Sequence, residues 1–421
     1  MVRYVVWLIM GLLLVTGSVF AQNDAIDPQL QEQMNGLEAW TEEQRGLPLE
    51  APITRQFPTR EEVQAYITDV YETQLTPELA RQSLVFYAAV GMLPVETDLV
   101  EMFINVMGSQ VAGFYDPETR EMNVIPLGDD ETGSRLALLE QVIYVHEYTH
   151  ALQDEAFDLD NFVGTDELMA HPDRAVAALS LVEGDATLVM TTYLQAYINE
   201  NPLAAISVLT QSLTAAPLPE GIPDSLLREL MFPYEAGMTF VSALYLEGGW
   251  DAVDAAFANA PTTTEQILHP DKYFADEGAE SVEVTPVGEI LGNEWELMWD
   301  TSLGEFYLTE HLRSRLETDV ARTAAAGWGG DAFQVYATAD NEIAWLLIPV
   351  WDTEADWEEF LDAYRAFAAD FAGGDASSAY GDNIECYESA AGALCMESDA
   401  LYIAYAPTME QAAAMVEAQM G

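Results

Sequence analysis

Two histidines and a glutamate interrupt an otherwise apolar run, VIYVHEYTHALQDE, at residues 142–155. His146 and His150 are four residues apart, so on an α-helix both imidazoles lie on one face and can reach a single ion. The remaining faces would be apolar, which predicts a central, buried helix over about 134–154. The imidazoles and the Glu147 carboxylate then need partners, because an unpaired buried charge is costly. The run therefore predicts a metal-binding helix; core histidines bonded to backbone or tyrosine groups are the alternative.

Zinc suits this set, because a catalytic zinc takes three protein ligands and keeps one position open. Such an ion lowers the pKa of its bound water to about 7. Glu147 directly follows His146 and is placed to take a proton from that water and pass it to a leaving amine. The sequence therefore predicts one zinc per chain, with Glu147 as the general base.

The third ligand must come from another segment, because Gln153 and Ala156 stand where a metzincin has a glycine and a third histidine. Glu183 lies in an apolar helix predicted over about 173–198, and a carboxylate there is either paired or a ligand. The small residues beside it, such as Gly184, would let this helix approach the first one closely. We predict Glu183 as the third ligand, with Asp166 as the alternative; a capping or salt-bridged Glu183 is a further interpretation.

The motif His-Glu-x-x-His followed by Glu-Gly-x-Ala on the next long helix resembles the gluzincin clan of zinc metallopeptidases. The segments VHEYTHALQDEAFDL, ALSLVEGDA, FPYEAGMTFV and TTEQILHPDKY, within about 109–274, resemble a bacterial group of predicted exported metallopeptidases. The resemblance implies zinc bound by His146, His150 and Glu183, with Glu147 as the base. The interval between His150 and Glu183 is longer than in the best-known gluzincins, so a loop over about 158–173 must be accommodated.

In this class the hairpin before the active helix supplies an edge strand that can bind an extended peptide. Met122–Ile125 is the candidate strand here, and an edge covered by other protein is the alternative. A donor for the developing oxyanion is also needed, and Tyr234 and His269 are the candidates. The alternatives are a core tyrosine with its hydroxyl satisfied and a histidine that caps a helix.

Three further polar residues carry predictions. Asp154 lies one turn past His150, so we predict that it hydrogen-bonds a ligand histidine from behind; solvation or capping at the helix end is the alternative. His171 and His311 are predicted to lie on the surface.

The charge of the chain excludes some partners. Its 421 residues include 72 Asp and Glu but 14 Lys and Arg, so the net charge is 14 − 72 = −58, and Lys272 is its single lysine. Binding of nucleic acid or an anionic membrane is not expected, because phosphate contacts need clustered Lys and Arg. Apolar residues make up 50% of the chain, so it can still build a large core. The surface charge suggests adaptation to a salty or acidic exterior.

Residues 1–21 have the pattern of an export signal: Arg3, an apolar run, and a cleavage site ending at Ala21. An uncleaved membrane anchor is the alternative, and no stable membrane insertion is expected after cleavage. Cys386 and Cys395 are predicted to form a local disulfide, which suits an oxidising compartment; two free thiols are the alternative. We therefore expect an exported protein that acts on a peptide or protein substrate.

The predicted fold class is α+β. An extended N-terminal arm is expected over 22–58, a mainly helical zincin-like domain with a small β-hairpin over 59–280, and a small α+β domain over 287–421. Outside the motif helices, the patterns predict helices over 59–71, 77–89, 97–106, 225–246, 250–259, 354–369 and 409–420, and strands over 333–337, 343–351, 387–396 and 400–406. The predicted function is an exported zinc metallopeptidase; a non-catalytic exported binding protein with a structural or vestigial metal site is the alternative.

Overall fold

The computed structural model describes residues 26–110, 113–117, 119–125, 134–204, 221–374, 378–380 and 383–421. The predicted export signal, residues 1–21, lies outside this part of the chain. The fold is α+β, as predicted. Two compact units divide it: the first holds Met1–Thr76, Asp98–Met169 and Ala175–Pro261, and the second holds Pro77–Thr97, Ala170–Arg174 and Thr262–Gly421.

The elements of the described residues are given in chain order. The helices are α1 Pro28–Arg45, α2 Arg60–Gln74, α3 Pro77–Val90, α4 Leu99–Gln110, α5 Leu138–Phe157, α6 Leu159–Val163, α7 Asp166–Met169, α8 Pro172–Glu200, α9 Asp224–Gly248, α10 Trp250–Ala258, α11 Thr264–Leu268, α12 Pro270–Phe274, α13 Gly288–Leu291, α14 Gly304–Arg313, α15 Thr318–Ala325, α16 Glu354–Phe371 and α17 Met409–Met420. The strands are β1 Thr54–Gln56, β2 Gly113–Asp116, β3 Glu121–Val124, β4 Glu296–Thr301, β5 Trp328–Ala337, β6 Ile343–Trp351, β7 Ser378–Tyr380, β8 Ile384–Ser389, β9 Gly392–Glu397 and β10 Tyr402–Ala406.

The N-terminal arm differs from its prediction, because residues 28–45 form the helix α1 instead of an extended segment. Asp27 caps its first turn by accepting a hydrogen bond from the Gln29 amide, and Gly46 ends it in the left-handed region at φ 79°. Leu30, Met34 and Leu37 form a narrow apolar stripe that is buried in a core shared with α5. The sequence gives little sign of this stripe, because the other residues of the helix are strongly polar.

The small sheet of the first unit confirms the alternative given for Met122–Ile125, an edge covered by other protein. Its strand order is β1-β3-β2, with β3 parallel to β1 and antiparallel to β2. The strand of Met122 is therefore central, because the short strand Thr54–Gln56 covers the side that was expected to be open. The sheet edge next to α5 belongs instead to β2, as the contact of Tyr115 with that helix shows.

The second unit is built on a seven-stranded antiparallel sheet of order β4-β5-β6-β10-β9-β8-β7. Cys386 of β8 and Cys395 of β9 are opposite each other and form the predicted disulfide. The single strand expected over 387–396 is two strands, because the chain turns between Ser389 and Gly392. The helices predicted over 354–369 and 409–420 and the strands over 343–351 and 400–406 are confirmed with small shifts at their ends.

Helix α3 belongs to this second unit, although the sequence placed it in the first domain. Phe86 explains the assignment: its ring lies 5.3 Å from that of Trp299, 5.1 Å from that of Tyr307 and 6.4 Å from that of Phe333. The last segment of the second unit begins at Thr262, before the predicted boundary near residue 280.

The surface prediction for His311 is wrong, whereas His171 is exposed as expected. The His311 Nδ1 lies 3.1 Å from the Val90 carbonyl oxygen, and its Nε2 lies 3.1 Å from the Tyr364 hydroxyl. A carbonyl oxygen only accepts, so Nδ1 donates and the ring is satisfied in its neutral form. Burial lowers the pKa of His311 to about 4.

Among the described residues, α8 is long and apolar enough to cross a membrane by length and composition. Of its most apolar stretch, 78% is buried inside the protein, and a core helix meets the same criteria.

Candidate metal centre

Two helices of the first unit bring three predicted ligand atoms together. Helix α5 carries His146 and His150 one turn apart, and α8 carries Glu183. The His146 Nε2 lies 3.1 Å from the Glu183 Oε2 and 3.1 Å from the His150 Nε2. The His150 Nε2 lies 3.5 Å from the Glu183 Oε2, and all three residues are buried. The three atoms form a nearly equilateral triangle.

The size and chemistry of this triangle fit a zinc ion. Tetrahedral nitrogen and oxygen ligands at zinc distances lie about 3.4 Å from one another, and the sides measured here are 3.1, 3.1 and 3.5 Å. Two imidazoles and one carboxylate are also donors that zinc accepts. His146, His150 and Glu183 could therefore hold a metal ion.

The electrostatics of the centre favour positive charge. Burial by itself would raise the pKa of Glu183, but the two histidines outweigh it and lower that pKa, so the carboxylate stays ionised. Burial opposes a charged His150, yet Glu183 reverses this effect and raises the pKa of the imidazole. A buried anion that draws a cation to the same point is suited to either a proton or a metal ion.

The predicted base, Glu147, lies beside the centre and is anchored by the neighbouring sheet. Its Oε2 accepts a hydrogen bond of 3.2 Å from the Tyr115 backbone amide of β2. Gly113 keeps this strand close, because a Cβ there would lie 3.5 Å from the Glu147 Cγ and 3.1 Å from Ile143. Burial raises the pKa of Glu147, against the opposing effect of the two histidines.

Tyr234 reaches the centre from a third helix, α9. Its ring stacks on that of His146, with centroids 5.9 Å apart and planes 27° apart. Burial, together with the charges of Glu183 and Glu147, raises the pKa of Tyr234 well above its usual value. The hydroxyl therefore keeps its proton and can donate it in a hydrogen bond.

Glycines allow α9 to come this close. A Cβ at Gly184 would lie 2.3 Å from the Gly237 carbonyl, and a Cβ at Gly237 would lie 2.2 Å from the Ser180 carbonyl oxygen. Gly184 therefore allows α8 to approach α9 closely, whereas the sequence predicts that it lets α8 approach α5. It brings Tyr234, one turn before Gly237, alongside Glu183.

The side chain that hydrogen-bonds the outer ring nitrogen of His150 is that of Gln153, whereas the sequence predicts Asp154 for this role. The Asp154 carboxylate accepts a 3.0 Å hydrogen bond from the Tyr115 hydroxyl. The His150 Nδ1 lies 2.8 Å from the Gln153 Oε1. Both residues follow His150 closely on α5, but Gln153 is buried towards α8, where its amide nitrogen contacts Asp185.

Sequence reasoning missed two further residues, Asp185 and Arg45. Asp185 is fully buried on α8, two residues after the predicted ligand Glu183. Its partner Arg45 is the last residue of α1 and lies 140 residues earlier in the chain. A second carboxylate in Glu183-Gly184-Asp185-Ala186 was the available signal for Asp185. Nothing local in the sequence around Arg45 points to this partner.

His269, the second oxyanion candidate, belongs to the second unit. Its Nε2 pairs with the Glu305 carboxylate at 3.0 Å, and this hydrogen bond raises the pKa of His269. The side chain of Asp166, the alternative third ligand, lies outside the described part of the structure.

Comparison with known families bears only on the second unit. The model of a family described as Domain of unknown function (DUF8575) matches residues 296–416. No curated protein and no solved structure matches the chain. The metal centre lies outside the matched residues, so its assignment depends on the geometry described above.

Proposed function

We propose that this chain is an exported zinc-dependent metallopeptidase with a zincin-like catalytic unit of the gluzincin type. The observation that carries the proposal is the convergence of His146, His150 and Glu183 from two helices, with Glu147 beside them. The export-signal pattern and the disulfide Cys386–Cys395 support the exported location.

His146, His150 and Glu183 would hold the zinc, which supplies a Lewis acid and lowers the pKa of water. The Glu147 Oε2 is held by the Tyr115 amide, so the carboxylate has a fixed orientation in which it takes a proton from the attacking water. The same carboxylate then delivers the proton to the nitrogen of the leaving amine. The Tyr234 hydroxyl, which keeps its proton, donates to the oxygen on which negative charge develops.

Metal analysis and one conservative substitution test the proposal. The purified chain should hold close to one zinc, and Glu147→Gln should keep that zinc while turnover of a peptide library falls by ~10²–10⁴. The matched control is Glu155→Gln, the same change two turns further along α5, where the side chain pairs with Arg120 at 2.6 Å. It should leave turnover nearly unchanged.

Two outcomes would reject the proposal. Equal cleavage by the wild type and Glu147→Gln would exclude Glu147 as the base. A chain that holds zinc but cleaves no member of the library would be the non-catalytic binding protein.

A further inference from the structure

We propose that Gln153 is a positioning residue for His150, and that Arg45 and Asp185 hold it in place. Through Arg45, helix α1 would then help to orient a ligand of the metal centre. This inference rests on the proposed zinc site and adds the groups that orient one of its ligands.

The orientation of the Gln153 amide follows from its surroundings. Its Nε2 lies 3.0 Å from the Val182 carbonyl oxygen and 2.9 Å from the Asp185 Oδ2. A carbonyl oxygen only accepts hydrogen bonds, and the Asp185 oxygens accept from Arg45, so the amide nitrogen must face both groups. Its carbonyl oxygen, Oε1, is then left facing the His150 Nδ1 at 2.8 Å.

This orientation decides which ring nitrogen of His150 carries a proton. Because the Gln153 Oε1 is an acceptor, the His150 Nδ1 must donate to it. In the neutral ring the lone pair is then on Nε2, which lies 3.1 Å from the His146 Nε2 and faces Glu183. The amide thus presents the lone pair of His150 to the point where the three ligand atoms converge.

Arg45 fixes the far end of this chain of hydrogen bonds. Its Nε lies 2.8 and 2.9 Å from the two carboxylate oxygens of Asp185, and its guanidinium also pairs with Asp254 at 2.7 Å. The guanidinium carbon lies 4.6 Å from the ring centroid of Trp250. Arg45, Asp185 and Gln153 are fully buried. The Arg45 guanidinium only donates hydrogen bonds, so both Asp185 oxygens accept from it, and this contact fixes the carboxylate that holds the Gln153 amide.

Zinc affinity tests the inference. Gln153→Ala should weaken zinc binding about 10- to 100-fold, measured by competition with a chromophoric chelator. Asp185→Asn provides a second variant with an unchanged shape and should weaken binding in the same direction. The matched control is Gln141→Ala on the same helix, a buried glutamine that contacts Leu136 and Tyr193 instead of the centre. It should lower stability without changing zinc affinity.

A spectroscopic measurement separates positioning from a merely structural role. In the metal-free wild type, long-range ¹H–¹⁵N spectra should show a protonated His150 Nδ1 whose proton exchanges slowly; in Gln153→Ala that proton should exchange fast. An unprotonated Nδ1 in the wild type, or equal zinc affinity in Gln153→Ala and Gln141→Ala, would overturn the inference. A wild type that takes up no zinc would reject the proposed function, whereas the Nδ1 measurement would still decide on Gln153.

Discussion

The contact between Gly184 and Gly237 leads to a quantitative prediction about helix packing. A Cβ at Gly184 would lie 2.3 Å from the Gly237 carbonyl, whereas ordinary contact begins at 3.4 Å. Helices α8 and α9 would have to move apart by about 1 Å, because the obstacle is backbone that cannot rotate away. Gly184→Ala should therefore destabilise the folded chain by about 1–3 kcal/mol, the usual cost of an overpacked core.

A glycine-to-alanine substitution at an exposed helix position should instead raise the free energy of unfolding. Gly36 is exposed within α1, and a Cβ there would have nothing within 4 Å. Gly36→Ala should stabilise the chain by about 0.5–1 kcal/mol, because alanine loses less backbone entropy in a helix. Equilibrium unfolding in urea, with a chelator present, measures both free energies of unfolding.

A functional consequence follows from the position of Tyr234. If α9 moves away from α8, the Tyr234 ring leaves its stacked position on His146, so peptidase turnover of Gly184→Ala should fall. A Gly184→Ala chain as stable as the wild type, or stabilised like Gly36→Ala, would refute the close approach of the two helices.

Three further predictions concern Tyr234, His311 and the net charge. Tyr234→Phe should keep its zinc and lower kcat about 10²–10³-fold if the hydroxyl stabilises the oxyanion, and unchanged kcat would remove it from that role. The pKa of His311 is lowered to about 4, so the unfolded chain binds an extra proton between that pH and about 6.5. The stabilising contribution of neutral His311 is complete above pH 6.5, and the free energy of unfolding falls by roughly 3 kcal/mol as the pH drops towards 4. In urea unfolding measured at several pH values, His311→Gln should flatten this dependence, whereas the control His171→Gln should not. With a net charge of −58, the Tm should rise with added NaCl as repulsion is screened, and a flat calorimetric response would contradict adaptation to salt.

Much of the architecture could be predicted because helix and strand periodicity is local. Helix α2 begins at a capping box of Thr59 and Glu62, and the strands around 343–351 and 400–406 are apolar runs of the expected length. Helix α1 was missed because a stripe of one residue per turn is weak against a polar background. The place of α3 in the second unit depends on Phe86, a contact that no change of composition marks.

Sequence alone determined which side chains could hold a metal ion. A spacing of four residues on a buried helix places His146 and His150 together in any fold that keeps the helix, and an apolar helix gives Glu183 a reason to be paired. Tertiary structure alone decided the partners that other elements supply: Asp185 to Gln153, Arg45 to Asp185 and Tyr234 to His146. The reason is that a helical repeat specifies neighbours within one element, whereas contacts between elements depend on how their surfaces pack.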